Sequence, residues 1–147
     1  AFNCGMQTRY ADIPLWLCEG MAVYFEAPDL ASRSGWQGIG RVNYPRLEKF
    51  RANLPNWHDG SLAEMLRDSR RFRDPHTAID AYADAWALNY YLIKYAPKAS
   101  TAYLKDLSKK RPLIDDNPQK RLAEFQNHFG DLHKLEQDFL KQMSRVK

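Results

Sequence analysis

The sequence has no apolar run approaching the roughly 20 residues that a helix needs to cross a bilayer, so no transmembrane segment is expected within it. Cysteine is scarce: Cys4 and Cys18 alone could form one disulfide or stay as thiols, too few to assign a compartment. No second cysteine pair and no close histidine completes a metal site around them. A strong charge of one sign is missing as well. The 22 Lys plus Arg stand against 18 Asp plus Glu, a net +4, and the charges are dispersed. The runs Arg70-Arg71 and Lys109-Lys110-Arg111 read as solvated helix ends, so no nucleic-acid partner is expected. No repeat or low-complexity tract occurs, and nothing alternates strictly enough to require a sheet. The chain opens Ala-Phe-Asn with neither a charged leader nor an apolar signal core, and its first residues read as the interior of a longer protein.

What is present is material for a core. With 147 residues, 44% hydrophobic and 13% aromatic, residues 1–147 are expected to form one packed domain, predominantly helical. The stretch that organises it is Trp16-Leu17-Cys18-Glu19-Gly20-Met21-Ala22-Val23-Tyr24-Phe25-Glu26, a mostly apolar helix over about 13–27 that Pro14 opens and Pro28 ends. Glu19 is its awkward residue. A carboxylate among Trp16, Leu17, Met21 and Phe25 is solvent-facing, paired or bound to a cation. Gly20 costs about 1 kcal/mol inside a helix, and such a glycine usually admits a close neighbour to the backbone.

Between Pro28 and Tyr44 the Ser and Gly content rises, while Trp36, Ile39 and Val42 suggest a loop that packs and could border a cleft. A short helix from Pro45 uses Leu47, Phe50 and Leu54 and stops before Pro55. Ser61-Leu62-Ala63-Glu64 fits a capping box for another, and the charged stretch from Arg67 to Pro75 reads as a surface turn. From Thr77 to Pro97 no Gly or Pro interrupts a long helix capped by Thr77. Its apolar positions Ala81, Ala85, Leu88 and Leu92, with Tyr82, Trp86 and Ile93 beside them, imply burial on several sides. Further helices follow at about 100–110, from Asn117-Pro118 to Gly130, and from an Asp131 cap to the end.

The stretch Trp16 to Glu26 resembles the W-L-x-E-G-x-A-x-Y-x-E segment of the gluzincin, or peptidase-MA-like, zinc metallopeptidases, whose metal is held by HExxH and a downstream Glu. The later segments Ala81-Tyr82-Ala83-Asp84-Ala85-Trp86-Ala87-Leu88, Phe129-Gly130-Asp131-Leu132 and Leu135-Glu136 are similar to a bacterial branch that includes a domain of unknown function. The resemblance implies the C-terminal helical part of a zincin-like catalytic domain. Within it Glu19 would be the third zinc ligand, Gly20 would let the ligand-bearing helices approach, and Glu26, two turns on, could orient a histidine or be a solvated helix-end residue. Tyr82 would be the group that stabilises an oxyanion, against packing as the alternative.

This sequence departs from the pattern in one respect. None of His58, His76, His128 and His133 forms HExxH, and His128 and His133 read as surface residues. In the resembling clan that motif lies about twenty residues ahead of the ligand Glu, so the chain reads as a fragment cut after the HExxH helix, inactive alone. Zinc and a peptide or protein substrate would belong to the full-length protein, with a leaning to secretion or the periplasm taken from the family. Truncation would uncover the apolar face beside Glu19 and promote self-association. The competing expectation is a noncatalytic helical interaction module that uses the 28–44 loop.

Overall fold

The computed structural model describes residues 13–26, 41–109 and 118–147. Among them are eight α-helices and no strand, so the all-α expectation holds. They are α1 (Leu15–Glu26), α2 (Tyr44–Asn53), α3 (Ser61–Arg67), α4 (Arg70–Arg73), α5 (Ala78–Tyr95), α6 (Pro97–Ser108), α7 (Pro118–Phe129) and α8 (Leu132–Arg145), with a 3-10 turn at Leu54–Asn56 after α2. Residues 28–40, most of the loop expected between Pro28 and Tyr44, lie outside the described residues.

The longest helix, α5, is the hub. Ala81 and the whole run from Ala83 to Leu92 are buried, the all-round burial that its composition implied. A helix apolar on every side can satisfy the hydrophobic effect only if neighbours enclose it. Here α1, α2, α4, α6 and α8 all pack on it. On one side Trp16 of α1 stacks on Tyr103 of α6 at 6.3 Å and meets Phe125 of α7 edge-on at 5.7 Å. On another, Phe50 of α2, Trp57 and Phe139 of α8 form a second aromatic group that Tyr91 of α5 joins at 5.5 Å.

Gly20 sets how close α1 comes to α5. A Cβ built there would lie 1.9 Å from Asn89 Nδ2 and 2.5 Å from the Ala85 carbonyl oxygen. The glycine therefore does admit a close neighbour, and that neighbour is α5. Asn89 is buried, and its amide donates to the carbonyls of Ala85 (2.8 Å) and Trp16 (3.3 Å), so the seam holds no unsatisfied amide hydrogen. Of the apolar residues near Glu19, Trp16, Leu17, Met21 and Val23 are buried, whereas Phe25 is exposed.

Several helix ends are fixed differently from expectation. Asn43 caps α2, accepting from the Arg46 amide at 3.3 Å. Ser61 forms no capping box. It is the first helical residue, and its hydroxyl instead accepts from the His58 amide at 3.0 Å. The cap of α3 comes from α8, where the buried Glu136 accepts from the Leu62 amide (3.1 Å), the Gly60 amide (3.4 Å) and the Trp57 indole (2.8 Å). Thr77 precedes α5 without capping it; its hydroxyl donates to the Arg71 carbonyl at 2.8 Å. The charged stretch 67–75 contains the single-turn α4, which forms because Phe72 is buried against the core. Helix α6 begins three residues earlier than expected because Pro97 occupies its first turn, where its missing N–H costs nothing. The Gly130 stop at φ 83° and the Asp131 cap, accepting from the Lys134 amide at 3.3 Å, are as the sequence indicated.

Two stability outcomes follow. Gly20→Ala gains about 1 kcal/mol of helix propensity but forces overpacking worth about 1–3 kcal/mol against an Ala85 carbonyl that cannot rotate away. The urea midpoint should fall; an unchanged or higher midpoint would mean that the seam has slack. Glu136→Gln places an amide among three donors, and a loss of about 1–3 kcal/mol is expected in the same assay.

Candidate functional site

The residues singled out from the sequence lie on α1 and α5, two helices that pack against each other. Glu19 is half-buried on α1, in a stripe with Leu15 and Ala22 where the helix is less covered than at Trp16, Leu17, Cys18, Gly20 and Met21. Tyr82 is half-buried on α5. It stands seven residues before Asn89 and three before Ala85, the spacing that puts all three on one side of a helix, and that side is the one Gly20 touches. The Tyr82 ring packs on Phe72 of α4 at 5.7 Å, so packing accounts for at least part of its role. Glu19 and Tyr82 thus belong to two helices in direct contact. Of Glu26, the last residue of α1, only the backbone is described.

A catalytic zinc needs three protein ligands that converge. Among the described residues no three His, Cys, Asp or Glu side chains do so, and Glu19 would bring one donor. The described residues by themselves therefore do not fit the metal that the resemblance implies. Cys18 is buried and disulfide-bonded, which withdraws its sulfur from a ligand set. His133 is exposed, as expected, and so are His58 and His76. His128 departs from that picture: its side chain is 19% exposed, its Nε2 lies 2.7 Å from Asp106 Oδ2, and its ring meets Tyr103 edge-on.

The group that sequence reasoning passed over is Asp84, quoted only as part of a longer pattern. It is 1% exposed on α5, and its Oδ2 accepts from Arg71 at 2.9 Å. Its other oxygen, Oδ1, is shielded from solvent and makes no close hydrogen bond. Burial raises the carboxyl to a pKa of about 6; Arg71 opposes that shift, Asp80 one turn away adds to it, and a weak hydrogen bond from the Asn53 side chain also favours the charged form. The signal was available, since an acid inside a helix that is apolar all round poses the same problem as Glu19. Asp84 and Tyr82, two positions apart, lie on nearly opposite sides of α5.

A family model described as "Protein of unknown function (DUF1570)" matches residues 1–114, from the start of the chain past the end of α6. No curated protein and no solved structure matches the chain.

The Asp84 environment gives a pH dependence. Its carboxyl holds a proton more tightly when folded, at about 6, than at the ordinary value of 3.8, so its contribution favours folding at low pH and is lost as pH rises through 6. The loss is on the order of 3 kcal/mol at most. Asp84→Asn should flatten that part of the stability-against-pH curve, followed by urea unfolding at successive pH values. A wild-type curve that rises across the same window, with the variant unchanged, would contradict the raised pKa.

Proposed function

The chain belongs to the DUF1570 family, and from that premise we propose that it is the C-terminal helical portion of a zinc-dependent metallopeptidase-like protein, to which Glu19 contributes a metal ligand. The observation that carries the reading is the placement of Glu19. An ionisable side chain sits half-buried on an otherwise apolar helix, next to the glycine that lets α1 seat against α5. That seating gives Glu19 a fixed backbone, which a metal ligand requires. Tyr82, on the α1-facing side of α5, is the candidate for stabilising a developing oxyanion on a peptide or protein substrate.

The reading requires two histidines from outside this chain, because none of its four belongs to an HExxH motif. It fails outright if the residues encoded before Ala1 in the complete protein lack that motif. Where they contain it, metal analysis of the complete protein is the test. About one zinc per chain is expected in the wild type, and Glu19→Ala should lower occupancy severalfold under limiting metal while Tyr82→Phe leaves it unchanged. Equal zinc in the Glu19→Ala protein removes Glu19 from the ligand set. Absence of zinc from every form favours the noncatalytic interaction module instead.

A further inference from the structure

The single-turn α4 cannot fix its own place in the fold. A helix of four residues is too short to stand on its local hydrogen bonds, and Arg70, Arg71 and Arg73 crowd that one turn with like charge. Arg70 turns outward to the exposed side of Asp68, at 2.6 Å. Two residues hold the turn to α5 instead. Arg71 donates to the buried Asp84 at 2.9 Å, and the buried Phe72 packs its ring on Tyr82 at 5.7 Å. We propose that α4 is a positioning clasp for Tyr82, in which the Arg71–Asp84 pair sets the register of α4 and Phe72 carries that register to the Tyr82 ring.

Asp84 is costly where it stands, because a carboxylate at 1% exposure has lost its hydration. Apolar residues of similar volume commonly replace a buried ion pair without loss of stability, so stability alone does not account for this one. What the pair supplies better than apolar contact is direction, since a charge-assisted hydrogen bond fixes both distance and angle. The Asn53 side chain also favours the charged Asp84 through a weak hydrogen bond, but it belongs to α2 and does not hold α4. Arg71 lines a cavity of about 240 Å³, so close packing does not hold its guanidinium on that side. The bond to Asp84 does.

Two anchors suffice because they are separated. Neighbouring helical residues diverge by about 100°, and Asp84 and Tyr82 lie on nearly opposite sides of α5, so Arg71 and Phe72 grip α5 on two flanks. The Thr77 hydroxyl, just before α5, donates to the Arg71 carbonyl at 2.8 Å and ties the turn to the start of the helix it grips. A turn pinned in this way cannot pivot without moving the Phe72 ring off Tyr82. Arg71, Phe72 and Asp84 are therefore positioning residues. The clasp itself concerns the Tyr82 ring, and its value for catalysis rests on the oxyanion role given to Tyr82 above.

The test follows Tyr82 in the full chain labelled with 3-fluorotyrosine, its fluorine resonance identified as the signal lost in Tyr82→Phe. The double variant Arg71→Met with Asp84→Leu removes both charges together and leaves no unpaired buried ion. Its urea midpoint should stay near the wild-type value while the Tyr82 resonance shifts and broadens. Phe72→Leu should move the same resonance with the ion pair intact. Glu136→Gln, which weakens the fold at α3 and α8, should leave it in place. If the double variant does not fold, Arg71→Lys, which keeps the charge and loses the planar fork, replaces it with the same two outcomes. The proposal is overturned if the Tyr82 resonance in the charge-removed variant coincides with the wild type, or if Glu136→Gln moves it equally. In the complete protein loaded with zinc, the double variant should lower kcat for peptide hydrolysis severalfold with KM and zinc content little changed. Absence of hydrolysis from the complete wild-type protein removes the oxyanion role of Tyr82, and the fluorine result still decides the clasp.

Discussion

The separation of α1 from α5 is fixed by the missing side chain of Gly20, and much of the remaining arrangement depends on it. Because that position carries no Cβ, the Ala85 carbonyl and the Asn89 amide can lie where a methyl group would otherwise be. Asn89 then reaches the Trp16 carbonyl across the seam, so a polar side chain deep in the core is satisfied by both helices at once. With α1 held at that distance, Trp16 enters the aromatic group of Tyr103 and Phe125, and α6 and α7 are drawn to the same core. Glu19, one residue before the glycine, inherits a backbone that cannot shift without breaking the seam.

Two buried carboxylates show how the same functional group is given opposite roles. Glu136 sits among three donors, two backbone amides and an indole, and joins α8 to the start of α3. Its acceptor capacity is used by the fold. Asp84 is met by one guanidinium and only weakly by the Asn53 side chain, so burial dominates and its pKa is raised to about 6. A carboxylate met by three donors is a structural tie, whereas one buried against a single guanidinium keeps a raised pKa.

Much of the fold was legible from local pattern. The α5 boundaries follow from the absence of Gly and Pro between Thr77 and Pro97, and its burial from apolar residues on every side. Gly130 and Asp131 mark a stop and a start because a left-handed residue and an N-cap each have a local chemical requirement. The misread ends share a cause. Ser61 and Thr77 are good capping residues, but each hydroxyl found another partner, and the cap of α3 arrives from Glu136, more than seventy residues away. In α4, one buried phenylalanine outweighs a strongly charged local sequence.

The candidate site was legible in the same uneven way. Glu19, Gly20 and Tyr82 were identifiable because each contradicts its surroundings or fits a recognisable order of residues, and sequence alone determined that Gly20 needed a close neighbour. Only the tertiary structure decided that the neighbour is α5, that Glu19 and Tyr82 belong to helices in contact, and that Asp84 is buried against Arg71 of α4. The physical reason is range. Propensity, capping and periodicity act over a few residues and are written in the order of the chain, whereas the satisfaction of a buried polar group depends on which distant segments the core brings beside it.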